Sequence, residues 1–238
     1  MQFSRFPDRV SSSDAPLVIF DLDDTLIASF DGYVELHQRV AADLGWEIPT
    51  RQALIPYAQT WEATLERLFP ERNLAPFFDR YEQIADDLPY PAIPGVTEAL
   101  AQLRARAYSL WIVTKRTRRR LDQRLINAGI SSDLFDGIFT NEQQPAPKPD
   151  PRCFDPIWQQ IGGRAPAVYI GDRHEDRLAA DAAGLTFVAV RTGPEADYAW
   201  VGELEDHRVL GSAADTPSWL SQHHRAVLNS AATPRKHR

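Results

Sequence analysis

Five short apolar runs punctuate the chain: LVIF at 17–20, LWIV at 110–113, IFT at 138–140, AVYI at 167–170 and TFVAV at 186–190. Each is too short for a helix. Each is rich in β-branched or aromatic side chains, so each reads as a strand buried on both faces. Helical periodicity recurs over Thr97–Ala107, Thr117–Ala128, Pro151–Ile161 and Glu175–Ala183. The last three stop at Gly129, Gly162 and Gly184, the residue type that most cheaply takes the left-handed conformation beyond a helix. Alternating strands and helices predict the α/β class, with a doubly wound, Rossmann-like parallel sheet.

The stretch between the first two strands is far too long for one crossover helix. Residues 32–88 read as helical, with apolar faces at Tyr33, Leu36, Val40 and Leu44, at Trp61, Leu65 and Leu68, and at Phe77, Phe78, Tyr81, Ile84 and Leu88. Pro89, Pro91 and Pro94 return the chain to the sheet. The expected division is a core from 15–29 and 92–212, a small α-helical domain inserted over 30–91, and flexible termini at 1–14 and 223–238.

Composition narrows the class. The 238 residues are 43% hydrophobic and 25% charged, ordinary for a chain that buries a full core. The single cysteine, Cys153, excludes an intrachain disulfide. No apolar run approaches the roughly 18 residues of a membrane helix, and the first residues lack the apolar stretch of a secretory signal. The expected location is cytoplasmic, with no membrane partner. A net charge of −7 argues against nucleic-acid binding. The insertion carries 11 acidic and 5 basic side chains, nearly the whole imbalance. Residues 115–120, KRTRRR, run the other way, and the default expectation for them is solvated surface. The same default covers His37, Arg39 and Arg51 of the insertion.

Polar residues cluster directly behind the strands. Asp21, Asp23, Asp24 and Thr25 follow the first, Thr114 the second, Lys148 the third, and Asp172, Arg173, His174 and Asp176 the fourth. Sites in doubly wound sheets lie beyond the carboxyl ends of the strands, at the point where strand order reverses, so Asp21, Asp23, Thr114, Lys148, Asp172 and Asp176 should converge, with His174 as a neighbour of the site. Two carboxylates 4 Å apart repel by about 4 kcal/mol at an effective dielectric of 20. Either some are protonated or a divalent cation lies among them, and an all-oxygen donor set suits Mg²⁺. Lys148 and the Thr114 hydroxyl would serve the same phosphate as a point charge and a hydrogen-bond donor.

DLDDT at 21–25, Thr114 behind a strand, Lys148 in KPDP and GDRHED at 171–176 together resemble the haloacid dehalogenase superfamily, over roughly residues 17–200. The helical insertion resembles the cap of its phosphoglycolate phosphatase-like subfamily. That resemblance implies Asp21 as nucleophile and metal ligand, with Asp23 as acid/base whose main-chain carbonyl also faces the metal. It further implies Thr114 and Lys148 as the phosphate-binding pair, Asp172 as a direct Mg²⁺ ligand and Asp176 as a metal-site residue supporting the ligands from behind. The implied reaction is hydrolysis of a small phosphorylated metabolite through an aspartyl-phosphate. The alternatives are a β-phosphoglucomutase-like mutase or a receiver-like phospho-accepting regulator. Asp23 speaks against dehalogenase chemistry, and the lysine-free insertion against a Schiff-base phosphonatase. Lys115 and Arg116 stand where the family often has Asn or Ser after the motif Thr, and both join the candidate substrate contacts. For Arg116 the expected check is Arg116→Ala kinetics, with KM across substrates as the readout.

Overall fold

The structure is a computed structural model describing residues 16–56, 60–194, 200 and 202–230. In chain order it places β1 (Leu17–Phe20), α1 (Phe30–Asp43), α2 (Arg51–Leu54), α3 (Trp61–Leu68), α4 (Ala75–Ile84), α5 (Val96–Ala105) and β2 (Ser109–Val113). Then come α6 (Arg118–Ala128), β3 (Gly137–Phe139), α7 (Asp155–Ile161), β4 (Ala167–Gly171), α8 (His174–Ala183), β5 (Thr186–Val190), β6 (Val209–Leu210) and α9 (Thr216–Ser230). The strands pair in parallel in the order β3-β2-β1-β4-β5-β6. Strand order therefore reverses between β1 and β4.

Because the central strands are apolar throughout, they bury both faces. Val18, Phe20, Leu110 and Ile112 join one core, and Leu17, Ile19, Trp111 and Val113 the other. The expected strands and helices hold to within a few residues, and Gly129, Gly162 and Gly184 are left-handed caps. Three expectations need correction. The helix expected over Pro151–Ile161 opens as a 3-10 turn at Pro151–Phe154 and turns α-helical only from Asp155. The sixth strand escaped the sequence reading because its two half-buried residues carry no periodicity. The ordered chain does not end at 222: α9 reaches Ser230, held by buried Trp219, Leu220 and Val227. Residues 1–14 and 231–238, expected to be flexible, lie outside the described residues. Among the described residues, no helix is long and apolar enough to cross a membrane.

The stretch over 30–91 folds as four helices, α1 to α4. Its two linkers meet. Ile27 bridges Ala92, the Ala28 amide donates to Pro91 O at 2.9 Å, and the Ile93 amide to Leu26 O at 2.9 Å. Aromatic packing fills the bundle, with Trp61 against Phe77, Phe78 and Tyr81, and Trp46 against Phe69 and Phe77.

His37 lies inside this bundle, contrary to the expected solvated face. Its Nδ1 meets Tyr33 O at 2.7 Å, and its Nε2 accepts from Trp61 Nε1 at 3.1 Å. That pattern requires the neutral ring, and burial lowers its pKa from 6.5 to about 4. Protonation therefore favours the unfolded chain. The stabilisation is complete above about pH 6.5 and is lost as pH falls towards 4, by about 3 kcal/mol in all. Acid titration of the wild type and of His37→Gln checks this. The wild-type melting temperature should fall across that interval, and the variant's should fall less.

Candidate active site

The site forms where β1 and β4 end side by side. The Asp21 amide donates to Ile170 O at 2.9 Å, carrying the parallel pairing past the end of β1. The loop then turns sharply, with Asp24 at a φ of 56°. The Asp24 carboxylate accepts the amides of Ser29 and Phe30, both at 2.9 Å, which ties the loop to the start of α1. On β4, Gly171 leads directly to Asp172. In α8, Asp176 reaches back to the Arg173 amide at 3.0 Å and caps the helix start.

Of the residues expected to converge, Asp21, Lys148, Asp172 and Asp176 are brought together. Lys148 Nζ donates to Asp21 Oδ1 at 2.7 Å, to Asp176 Oδ1 at 2.6 Å and to Tyr169 Oη at 2.9 Å, which uses all three ammonium donors. Oxygens of Asp21, Asp172 and Asp176 lie within 4.8 Å of one another, and all three residues are buried. Fully ionised, the three carboxylates would outweigh the one ammonium by two charges. Burial pushes Asp21 up to about 7 against the pull of Lys148. Burial, with Asp24 and Asp176 alongside, pushes Asp172 well above the carboxylate range.

The residues fit a hard divalent cation. Asp172 Oδ1 accepts from Thr25 Oγ1 at 3.2 Å, but its Oδ2 is buried with no hydrogen-bond partner among the described residues. An orphaned acceptor inside an acidic cluster is costly unless an ion meets it. Asp176 differs, because both its oxygens are already engaged, by Lys148 and Tyr169 on one side and the Arg173 amide on the other. That geometry suits support from behind rather than direct ligation. Gly193 makes room for the cluster, since a Cβ there would stand 2.0 Å from Asp172 Oδ2. Gly193→Ala should displace Asp172 and weaken Mg²⁺ affinity by about 10- to 100-fold, the range found when the groups orienting metal ligands are altered. Calorimetric Mg²⁺ titration of both proteins checks it.

Asp23 turns away from the cluster. Arg116 Nε meets its Oδ2 at 2.6 Å and Arg124 Nη1 its Oδ1 at 2.7 Å. Burial alone would raise this carboxyl, but the two guanidinium groups outweigh it and hold the group well below the usual range. Arg124 was not among the sequence candidates. The available signal was its place beside Leu121 and Leu125 on the buried face of α6, where the periodicity calls for an apolar residue. Thr114 is buried, and its hydroxyl accepts the Arg116 amide at 3.2 Å. Lys115 pairs with Glu175 at 3.0 Å. His174 is half exposed, with Nδ1 3.7 Å from Glu203.

The KRTRRR segment is therefore not simply solvated surface. Arg119 pairs with Glu82 at 2.7 Å and Asp86 at 3.4 Å, and Arg120 with Glu82 at 2.8 Å and with Asp86. These pairs tie α6 to Glu82 of α4 and to Asp86 just beyond it. Arg118 and Arg119 meet the solvated expectation in exposure, at 52% and 63%, and Arg118 pairs with Asp122 on its own helix. Core and insertion together line a cavity of about 570 Å³, bordered by Asp21, Thr114 and Lys148 of the core and by Tyr33, Trp61 and Tyr81 of the insertion.

The family model for haloacid dehalogenase-like hydrolases matches residues 18–190. A phosphoglycolate phosphatase of Synechococcus elongatus is 31% identical over 213 residues, covering 85% of this chain and 91% of that protein. One from Cereibacter sphaeroides is 27% identical over 218 residues, covering 86% and 97%. Among solved structures, a subfamily IA hydrolase of the same superfamily from Geobacter sulfurreducens superposes with a TM-score of 0.65 at 22% identity, covering 89% of this chain and 99% of that one. CbbY from Rhodobacter sphaeroides, in complex with phosphate, gives 0.68 at 16% identity, covering 90% and 99%. With its parallel sheet, its acidic cluster at the strand ends and a family match across most of its length, this chain belongs to the haloacid dehalogenase-like hydrolases.

Proposed function

We propose that this chain is a phosphatase that hydrolyses small phosphomonoesters with Mg²⁺ by transferring the phosphoryl group to Asp21. The observation that carries the reading is the buried cluster of Asp21, Asp172 and Asp176, with Lys148 bonded to Asp21 and Asp176, and with Asp21 and Lys148 lining a cavity of small-molecule size. Its relatives named phosphoglycolate phosphatase support the class of reaction.

The residues divide the work as their positions allow. Asp21 Oδ2, the oxygen not bonded to Lys148, attacks phosphorus, and the leaving alkoxide departs towards Asp23. Lys148 holds the Asp21 carboxylate in place and presents positive charge to the incoming phosphoryl group. Thr114 uses its hydroxyl oxygen to accept the Arg116 amide, which leaves its O–H to donate to a phosphoryl oxygen. Asp23 stands two residues beyond Asp21, off the acidic cluster, as a proton carrier must. Arg116 and Arg124 hold it ionised, so it carries a proton to the leaving oxygen only once those guanidinium groups release it, and it then takes a proton from the water that cleaves the acyl phosphate. Asp21, Asp172 and the Asp23 main-chain carbonyl would hold Mg²⁺, with Asp176 keeping Lys148 oriented behind them. When bound, the ion neutralises the excess charge and polarises a phosphoryl oxygen. Tyr33, Trp61 and Tyr81 of the insertion wall the cavity and keep bulk water from the acyl phosphate.

The test is phosphate release from a panel of phosphorylated metabolites and p-nitrophenyl phosphate, with and without Mg²⁺. Turnover that needs Mg²⁺ is expected. A protein that takes up one phosphoryl group and keeps it would instead be a regulator.

A further inference from the structure

Tyr169 stands where the strand pattern asks only for an apolar residue. It lies in β4, opposite Ile19 of β1 and Phe187 of β5, and is fully buried. Its ring meets Phe154 edge-on, with 4.9 Å between centroids, and lies 6.3 Å from Phe187. A phenylalanine would fill that space equally well. A tyrosine hydroxyl is costly to bury unless it is hydrogen-bonded. Here it bonds in both directions. The oxygen accepts from Lys148 Nζ at 2.9 Å, and the O–H donates to Asp176 Oδ1, also at 2.9 Å. The 2.6 Å bond from Lys148 to Asp176 Oδ1 closes the ring of three. Lys148 then donates its remaining hydrogen to Asp21 Oδ1 at 2.7 Å. Tyr169 does not border the cavity, so its effect on a bound substrate passes through Lys148 and Asp176.

We infer that Tyr169 is a positioning residue for phosphoryl transfer, its hydroxyl holding the Lys148 ammonium in the orientation that aims one hydrogen at Asp21. This rests on the phosphomonoester reading above and deepens it. An ammonium on a flexible four-carbon stem turns and tilts unless its three hydrogens are all engaged. Asp21 and Asp176 take two, and the third falls to Tyr169. A further carboxylate at that point would add negative charge to a cluster that already holds three carboxyl groups, whereas a hydroxyl takes the hydrogen without doing so. Of the three partners, Asp21 alone changes charge when it is phosphorylated. Tyr169 and Asp176 stay as they are, so the ammonium keeps its place while Asp21 passes from carboxylate to acyl phosphate and back. Tyr169 also shares Asp176 Oδ1 with Lys148, which weakens the pull of that carboxylate on the ammonium and keeps the bond to Asp21.

The experiment compares Tyr169→Phe with the wild type by kinetics and by NMR of the lysine ammonium groups. The chain has three lysines, Lys115, Lys148 and Lys236, so isotopic labelling of lysine gives at most three such signals, and the one missing from Lys148→Met belongs to Lys148. In the wild type this signal should exchange hydrogen with water at least about 10-fold more slowly than free lysine. In Tyr169→Phe the exchange should quicken by about 10-fold, the mark of one lost hydrogen bond. In saturating Mg²⁺, kcat of the variant for p-nitrophenyl phosphate should fall by about 10- to 100-fold with KM little changed. Both proteins are assayed at a temperature where melts show them folded. A ring that merely fills the core would move neither the exchange nor kcat. An unchanged kcat would overturn the inference, and so would a fall in kcat with the Lys148 signal unaltered. A wild-type signal exchanging as fast as free lysine would overturn it too, and that result needs no variant should Tyr169→Phe fail to fold. If the wild type releases phosphate from no phosphomonoester while Lys148 loses its protection in Tyr169→Phe, the hydrolase reading fails and the hold on Lys148 stands.

Discussion

Asp21→Asn is expected to lower phosphate release by about 10⁴-fold or more, the scale seen when the nucleophile of a covalent mechanism is removed. The amide keeps the shape of the side chain but cannot attack phosphorus. Stability should not fall with activity. Asp21 is a buried carboxylate among other carboxylates, and replacing it by a neutral amide removes both the desolvation cost and the repulsion from Asp176. The lost Lys148 contact works in the opposite direction, so the expected melting temperature lies close to that of the wild type. A variant that retains turnover would show that another group attacks. Parallel steady-state kinetics and thermal melts separate these outcomes.

Lys148→Met has the largest expected effect on the fold. The ammonium is 2.7 Å from Asp21 and 2.6 Å from Asp176, and its side chain is 2% exposed. Removing it leaves both carboxylates buried and uncompensated, a loss of about 3–5 kcal/mol. For a domain of this size that corresponds to a fall in melting temperature on the order of 10 °C. Mg²⁺ should recover part of the loss by supplying positive charge to the same oxygens. A double-mutant cycle with Asp21→Asn isolates the pair. Because Asn removes one of the two orphaned charges, the double variant should melt higher than Lys148→Met alone. A melting temperature unchanged by Lys148→Met would mean that the carboxylates are already neutral.

Much of this was legible in the chain. Strands buried on both faces announce themselves as continuous apolar runs, so five of the six were visible and their order implied where Asp21 and Asp172 would meet. β6 was not visible, because Val209 and Leu210 are held by pairing to β5 rather than by any pattern of their own. Charged residues were harder to place. A sequence shows that Arg116, Arg119, Arg120 and Arg124 are cationic but not which acids they meet. Those partners, Asp23, Glu82 and Asp86, lie on other elements brought in by tertiary packing. His37 illustrates the same limit, since its burial depends on Trp61, Phe77 and Tyr81 closing around it. The Asp172 oxygen without a partner among the described residues and the cradle at Gly193 required coordinates, and they carry the argument for a cation.

The central claim is that the carboxylate cluster at the β1–β4 junction is a divalent-cation site at which phosphomonoesters are hydrolysed. The direct measurement is phosphate release by chelator-stripped protein, repeated as Mg²⁺ is restored. The account predicts no release above background in chelator and full recovery with added Mg²⁺. Equal turnover with and without the ion would contradict it.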